Sequence, residues 1–281
     1  MTSERVRVAA LQMVSGPEVG DNLRQAAELL AEAAAAGAAL AVLPENFALM
    51  GLHERDKLAV AEIDGAGPIQ AFLAEQARSH GIWLVGGTIP LRGNDPERVR
   101  GACPVYGPDG ARIGRYDKIH LFDVAVAERE AYRESATLEP GEPVPAVLET
   151  TVGRLGLAVC YDLRFPELFR AQAAQGMELL ALPAAFTATT GAAHWQVLVR
   201  ARAIENQCVV IAAAQGGRHA NGRETHGESM VVGPWGDILA QVAQGPGVAV
   251  AEVDRAQLHA LRRRFPVLSH CRLPPLPARQ S

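Results

Sequence analysis

The chain has little cysteine and no excess of positive charge, and nowhere does it run apolar for long. Its four cysteines, Cys103, Cys160, Cys208 and Cys271, are widely scattered, with no CxxC pair and no histidine spacing of the kind that holds zinc. These absences argue against a disulfide framework or a metal site and for a reduced, cytoplasmic thiol protein. Lys and Arg number 27 against 31 Asp and Glu, so nothing invites nucleic acid or an anionic membrane. No segment offers about 18 uninterrupted apolar residues, and the opening MTSERVRVAALQM lacks the apolar core of a signal peptide. A soluble, unexported chain is expected. The one basic run, LRRRF at Leu261–Phe265, reads as a solvated helix face. No glycine-rich phosphate fingerprint follows the first predicted strand, and VGGTIP at Val85–Pro90 reads as close strand packing.

What is present is a repeat. GAALAVLPENF (Gly37–Phe47) aligns with GMELLALPAAF (Gly176–Phe186), with Gly, Leu-Pro and Phe at the same offsets. An Ala-rich helical stretch precedes each copy, the first with Asp21 as expected N-cap and Gly37 as C-cap. An apolar, partly β-branched run precedes each helix, VRVAALQM and RLGLAVCY. Helix-then-strand patterns follow, and then hairpins that both turn at Gly-Pro-x-Gly, VYGPDGARIGRY and VVGPWGDILAQV. Two copies of strand–helix–strand–helix–strand–strand predict an α/β fold in which each sheet carries helices on one face and buries the other against its partner. The expectation is a four-layer α-β-β-α sandwich of two pseudo-equivalent halves in one domain, residues 1–273, with a Pro-rich tail at 274–281.

In this layout Cys160 ends the first strand of the second copy, Glu45 lies just past the second strand of the first, and Lys118 follows the first hairpin. Strand ends and their loops are where α/β folds place reactive groups. Glu45 has an internal control, because its counterpart in the second copy is Ala184. Each residue also has a bland reading: a packed thiol for Cys160, a surface ion pair for Glu45, an exposed strand-end charge for Lys118, an ordinary loop carboxylate for Glu134. Cys208 reads as a buried core thiol. Together, however, Cys160, Glu45 and Lys118 make a nucleophile, a base and a cation, since a thiol is a weak nucleophile at neutral pH until a base or cation stabilises the thiolate.

Three stretches resemble the catalytic motifs of the nitrilase superfamily of carbon–nitrogen hydrolases: LPENF with Glu45, YDKIHLFDV with Lys118, and GLAVCYDLRFPELFR with Cys160. YRESATLEPG resembles the segment that carries the family's auxiliary glutamate, here Glu134. Within the superfamily, AFTATTGAAHWQVLVRARAIENQCVVIAAAQGGRH and HGESMVVGPWGDILA are most similar to the branch containing deaminated-glutathione amidase and ω-amidase. The resemblance implies an α-β-β-α fold, no metal or organic cofactor, and a homodimer through the helices after Cys160 and around His194–Glu205. It implies attack on an amide by Cys160 with Glu45 as general base, Lys118 and the Tyr161 backbone N–H holding the oxyanion, and a thioester acyl-enzyme. A small-molecule amide is the implied substrate, deaminated glutathione first, giving 2-oxoglutarate and Cys-Gly. Arg164 is the residue chosen to hold the substrate carboxylate, a structural ion pair with an acid such as Glu205 being its alternative. Phe186 and Thr190 would line the acyl pocket, with His194 and Trp195 packing at the start of the next helix. Residues from 218–228 that reach the pocket are left open.

Three other readings stay open at this stage. One is an ω-amidase acting on 2-oxoglutaramate or 2-oxosuccinamate, or an N-carbamoyl hydrolase of the same superfamily. The second is a Cys–His hydrolase using His120, which, two residues from Lys118, could share a face with it on a strand. The third is a catalytically silent interaction module that keeps the fold.

Overall fold

The strand β1 (Arg5–Gln12) shows how the layers arise, because its side chains alternate between two separate cores. Val6, Val8 and Ala10 join one apolar cluster and Ala9 and Leu11 the other, as the two-residue period of a strand requires. The computed structural model describes residues 4–127 and 130–273; the predicted tail at 274–281 lies outside them. After β1 come α1 (Val19–Ala35), β2 (Leu40–Val42), α2 (Pro68–His80), β3 (Trp83–Val85), β4 (Val99–Tyr106) and β5 (Arg112–Asp117). β6 (Ala146–Thr150) leads into the second copy: β7 (Gly153–Leu157), α3 (Pro166–Ala174), β8 (Leu179–Ala184), α4 (Ala188–Asn206), β9 (Val209–Ala214), β10 (Met230–Val232) and β11 (Ile238–Gln241). β12 (Gly247–Asp254) and α5 (Arg255–Arg264) close the chain.

The two principal sheets repeat one topology. The first contains the run β12-β1-β2-β3-β4-β5, with Ile89–Arg92 and Leu138–Glu139 also pairing with β4, and the second runs β6-β7-β8-β9-β10-β11. In each, an antiparallel edge strand is followed by three parallel strands and then two antiparallel ones. The last strand, β12, takes in the first sheet the edge that β6 takes in the second. The hairpin turns match as well, with Gly110 N–H donating to Gly107 O and Gly236 N–H to Gly233 O, both at 2.9 Å.

Val8, Ala10, Leu40, Val42 and Val105 of the first sheet pack with Leu155, Leu157, Leu180 and Val210 of the second, which is the buried interface between sheets. On the outer face of the first sheet, Leu29, Leu30 and Ala33 of α1 and Ile69 and Leu73 of α2 cover Ala9, Leu11, Ala41 and Leu84. α4 contributes Trp195, Val199 and Ala203 to the core of the second half. The four-layer expectation holds. Among the described residues no helix is long and apolar enough to cross a membrane.

Two local expectations are corrected. Helix α1 starts at Val19 behind Glu18, so Asp21 lies inside its first turn and pairs with Arg24 rather than capping; there its charge still favours the positive helix end. Gly37 does close the helix, one residue beyond the C-cap, with φ of 80° and its N–H on Ala34 O. The LRRRF run is helical but not wholly solvated. Arg262 reaches inward and its guanidinium donates to the carbonyls of Gln207, at 3.0 Å from Nε, and Met177, at 2.5 Å from Nη2. VGGTIP is close packing: a Cβ on Gly87 would lie 2.1 Å from Pro44 O.

Candidate active site

The C-terminal ends of parallel strands in both sheets converge, and the residues just beyond them line a cavity of about 280 Å³. Glu45 follows β2, Lys118 follows β5, Cys160 follows β7, and Ala185 and Phe186 follow β8. Lys118 is the hub. Its ammonium donates to Glu45 Oε1 and to Glu134 Oε1, each at 2.8 Å, and its side chain is only 2% exposed. Glu134 is fixed by its second oxygen, which accepts the Phe122 N–H at 2.7 Å.

The Glu45 turn is clamped from several directions. Gln215, the residue after β9, donates from Nε2 to Glu45 O at 3.1 Å and to Ser15 Oγ at 2.7 Å. Asn46, in the left-handed region at φ 57°, donates its N–H to Thr88 Oγ1 at 2.8 Å. The carboxylate therefore enters the cavity on a backbone with little freedom.

Cys160 opens a short 3₁₀ turn, Cys160–Arg164, with φ of 48°. A non-glycine residue there costs roughly 1–2 kcal/mol and persists only where its surroundings hold it. Asp162 does the holding. Fully buried, it accepts the Val159 N–H and the Tyr116 hydroxyl on Oδ2, and the His120 N–H and Nδ1 on Oδ1, at 2.7 to 3.1 Å. The thiol lies within the influence of the Glu45 carboxylate and the Ala185 N–H.

Electrostatics set a definite resting state. Burial opposes ionisation of Glu45, but the Lys118 charge and hydrogen bond outweigh it and hold the carboxyl below its ordinary range. Burial, reinforced by the Glu45 charge, pushes the Cys160 thiol well up despite Lys118. Burial works against the Lys118 ammonium, yet Glu134 and Glu45 raise it well above a free lysine. The group rests as thiol, carboxylate and ammonium.

Of the remaining sequence candidates, Tyr161, Arg164, Phe186 and Thr190 line the cavity. Arg164 makes no ion pair with Glu205, which binds Arg202 instead at 2.8 Å. Its guanidinium lies 5.2 Å from the Phe186 ring centroid and 3.2 Å from His194 Nδ1. Trp195 is fully buried against Phe186, whereas His194 is exposed. His120 is not among the lining residues; it is spent on Asp162 and stacks on Phe165 at 3.7 Å. Cys208 is buried in the core, its thiol pushed up to about 12 by burial. From 218–228, Asn221 and Arg223 reach the pocket. Arg223 thus resolves what the sequence left open within 218–228, whereas Ala185 and the supports Gln215 and Asp162 were missed. No group of three or more His, Cys, Asp or Glu among the described residues could hold a metal.

Two stacked sheets with a thiol, a carboxylate and an ammonium gathered at their strand ends define a protein of the nitrilase-like α-β-β-α class. The sequence matches the carbon-nitrogen hydrolase family over residues 7–263, and the chain belongs to that family. It is 44% identical to the deaminated glutathione amidase of Synechocystis sp. over 264 residues, covering 93% of this chain and 96% of the relative. Identity to the Homo sapiens deaminated glutathione amidase is 43% over 268 residues, 94% of this chain and 82% of that protein. Among solved structures, Saccharomyces cerevisiae Nit3, of branch 10 of the nitrilase superfamily, is 31% identical with a TM-score of 0.86, over 97% of this chain and 98% of that one. A double mutant of the Nesterenkonia sp. AN1 amidase, solved with acrylamide, is 29% identical with a TM-score of 0.79 over 97% and 96%.

Proposed function

We propose that the chain is a cysteine-dependent amidase that hydrolyses deaminated glutathione to 2-oxoglutarate and Cys-Gly. The observation that carries the chemistry is Lys118 held at 2.8 Å from both Glu45 and Glu134, in the cavity that Cys160 also lines. Relatives at 43% and 44% identity bearing the name deaminated glutathione amidase support the substrate.

In this reading Cys160 Sγ attacks the amide carbonyl while Glu45 accepts the thiol proton. An ammonium has three donors; two of Lys118's go to Glu45 and Glu134, and the third, with the Tyr161 backbone N–H, holds the oxyanion. Glu45 returns the proton to the leaving nitrogen, the C–N bond breaks, and the acyl group stays on sulfur as a thioester. Water then attacks that carbonyl, giving its proton to Glu45, and collapse releases the acid while the sulfur regains a proton. Glu134 is a positioning residue, holding Lys118 through a second hydrogen bond. Arg164 binds the keto-acid carboxylate, with Phe186 and Thr190 lining the acyl chain.

The active form in this reading is a cytoplasmic homodimer, with residues 1–273 as the catalytic domain. Val197 and Ile204 on α4, Trp235 in the second hairpin turn and Phe265 after α5 are exposed apolar residues that a second copy would cover. Unpaired cysteines at all four positions agree with a reducing compartment.

An amide panel tests the proposal: deaminated glutathione, 2-oxoglutaramate, 2-oxosuccinamate, N-carbamoyl amino acids and simple nitriles. Deaminated glutathione is expected to turn over fastest, with an acyl adduct on Cys160 visible by mass spectrometry. Faster turnover of N-carbamoyl compounds or nitriles would sink the substrate assignment, and an active Cys160→Ala variant would sink the chemistry.

A further inference from the structure

We infer that Arg223 anchors a carboxylate on the leaving-amine side of the substrate, so that the pocket is built for amides that are anionic at both ends. The inference rests on the reading above and adds the half of the substrate which that reading leaves unrecognised.

Arg223 lies just before the short strand Glu224–His226, in the turn that follows Gly216–Arg218. Its Nη2 donates to Ala185 O at 2.8 Å, and its guanidinium carbon lies 5.3 Å from the Tyr132 ring centroid. Its Nε is buried without a hydrogen-bond partner among the described residues. The acids whose charge it influences, Glu45 and Glu54, are engaged elsewhere, with Lys118 and Lys57. A half-buried guanidinium on a pocket wall, fixed by a carbonyl and a ring face and, among the described residues, by no carboxylate, has its charge and its remaining Nη donors left for a ligand.

The partner of Arg223 indicates which end of the ligand it serves. The two cavity arginines attach to consecutive residues: Arg223 grips the Ala185 carbonyl, and Arg164 lies over the Phe186 ring. The N–H of the same Ala185 acts on the Cys160 thiol. The arginines come from different elements and share no side-chain partner, since Arg164 meets Tyr161, Phe186 and His194 while Arg223 meets Tyr132. An amide whose leaving group is ammonia presents one carboxylate, for which Arg164 suffices. An amide of a dipeptide presents a second carboxylate about 6–7 Å beyond the scissile nitrogen when extended, and Arg223 is the group that matches it.

The test compares deaminated glutathione with its glycinamide form, in which a neutral carboxamide replaces the terminal carboxylate. Wild-type protein is expected to prefer the carboxylate form by about 10- to 100-fold in kcat/KM, expressed mainly in KM, as for loss of a hydrogen bond to a charged group. R223Q should treat the two compounds alike, and R223K, which keeps charge but loses the fork, should fall between. Equal kcat/KM for the two compounds in the wild type overturns the inference and leaves the amidase reading standing. A preference that survives in R223Q, with kcat lowered on both, also overturns it and makes Arg223 a positioning residue for Ala185. Failure of the wild type to hydrolyse either compound, with turnover of another amide, removes the substrate reading and this inference together. Should R223Q not fold, the wild-type comparison and R223K decide.

Discussion

Tyr116 donates its hydroxyl to Asp162 at 2.7 Å, and this bond ties together the two segments that carry the cation and the thiol. Tyr116 lies two residues before Lys118 and Asp162 two residues after Cys160, so any shift of one segment is felt by the other. Asp162 is fully buried and accepts from donors on Tyr116, Val159 and His120. Asp162→Asn turns one acceptor oxygen into a donor facing donors, and is expected to cost about 2–4 kcal/mol of stability and to lower kcat. Tyr116→Phe, which leaves the carboxylate its other partners, should cost about 1 kcal/mol. Thermal unfolding and steady-state kinetics of the pair check this; a D162N protein as stable and active as wild type would show the link to be incidental.

The resting charges give a pH profile with a definite shape. Glu45 must be ionised to act as base, and its carboxyl sits below the ordinary glutamate range because Lys118 outweighs the cost of burial. Activity is therefore retained as pH falls through neutrality and is lost only below the ordinary glutamate value of about 4.3. On the alkaline side Lys118 stays charged beyond the ordinary lysine value of about 10.4. The expected kcat/KM is flat from about pH 5 to 9. A histidine base would instead give an acid limb near its ordinary value of about 6.5. Consistent with the flat profile, His120→Asn should lose no more than about tenfold in kcat, against several orders of magnitude for Cys160→Ala.

Gly87 bears on the position of Glu45 through the preceding proline. A Cβ there would lie 2.1 Å from Pro44 O and 3.1 Å from Leu43 O, with φ at 56°. Gly81 also has positive φ, 63°, but nothing lies within 4 Å of its Cβ position. Gly81→Ala is thus expected to cost only the backbone strain, about 1–2 kcal/mol, and to leave kcat alone. Gly87→Ala should cost more and lower kcat, because the chain entering Glu45 must move. Equal unfolding temperatures and equal kcat for the two variants would contradict the close approach.

Much of this architecture was legible because the chain states it twice. The Leu-Pro elements, the Gly-Pro-x-Gly turns and the helix-closing glycines Gly37 and Gly176 recur at matching offsets, and both glycines have positive φ. Glu45 stood out against Ala184 for the same reason, and Cys160 and Lys118 by their places after strands. The supports were hidden because they are long-range. Gln215 meets Ser15 across 200 residues, Tyr116 meets Asp162 across 46, and Arg223 meets Ala185 across 38. No local pattern marks a glutamine after a strand or an arginine in a polar turn as belonging to a site. His120 was ambiguous because strand alternation only says that it could share a face with Lys118; its N–H and Nδ1 both meet Asp162, which no local pattern announces.

Arg164 offers the sharpest test of the acyl end. It lies in the cavity wall against Tyr161 and Phe186, and Glu205, the acid that could have made it structural, is bound to Arg202. Its closest polar neighbour, His194 Nδ1 at 3.2 Å, is exposed and bears no carboxylate. Removing a guanidinium that clamps a carboxylate forfeits charge-assisted hydrogen bonds worth about 1.5–3 kcal/mol, whereas removing one that only packs lowers all substrates together. Arg164→Ala is therefore expected to raise KM for 2-oxoglutaramate and deaminated glutathione by about 10- to 100-fold, with a much smaller rise for a neutral amide of similar length. KM measured on the charged and neutral amides side by side checks this, and an equal effect on both would assign Arg164 to the scaffold. Because the acyl chain is common to both keto-acid amides, the loss should be the same for each, which separates this subsite from one that reads the leaving amine.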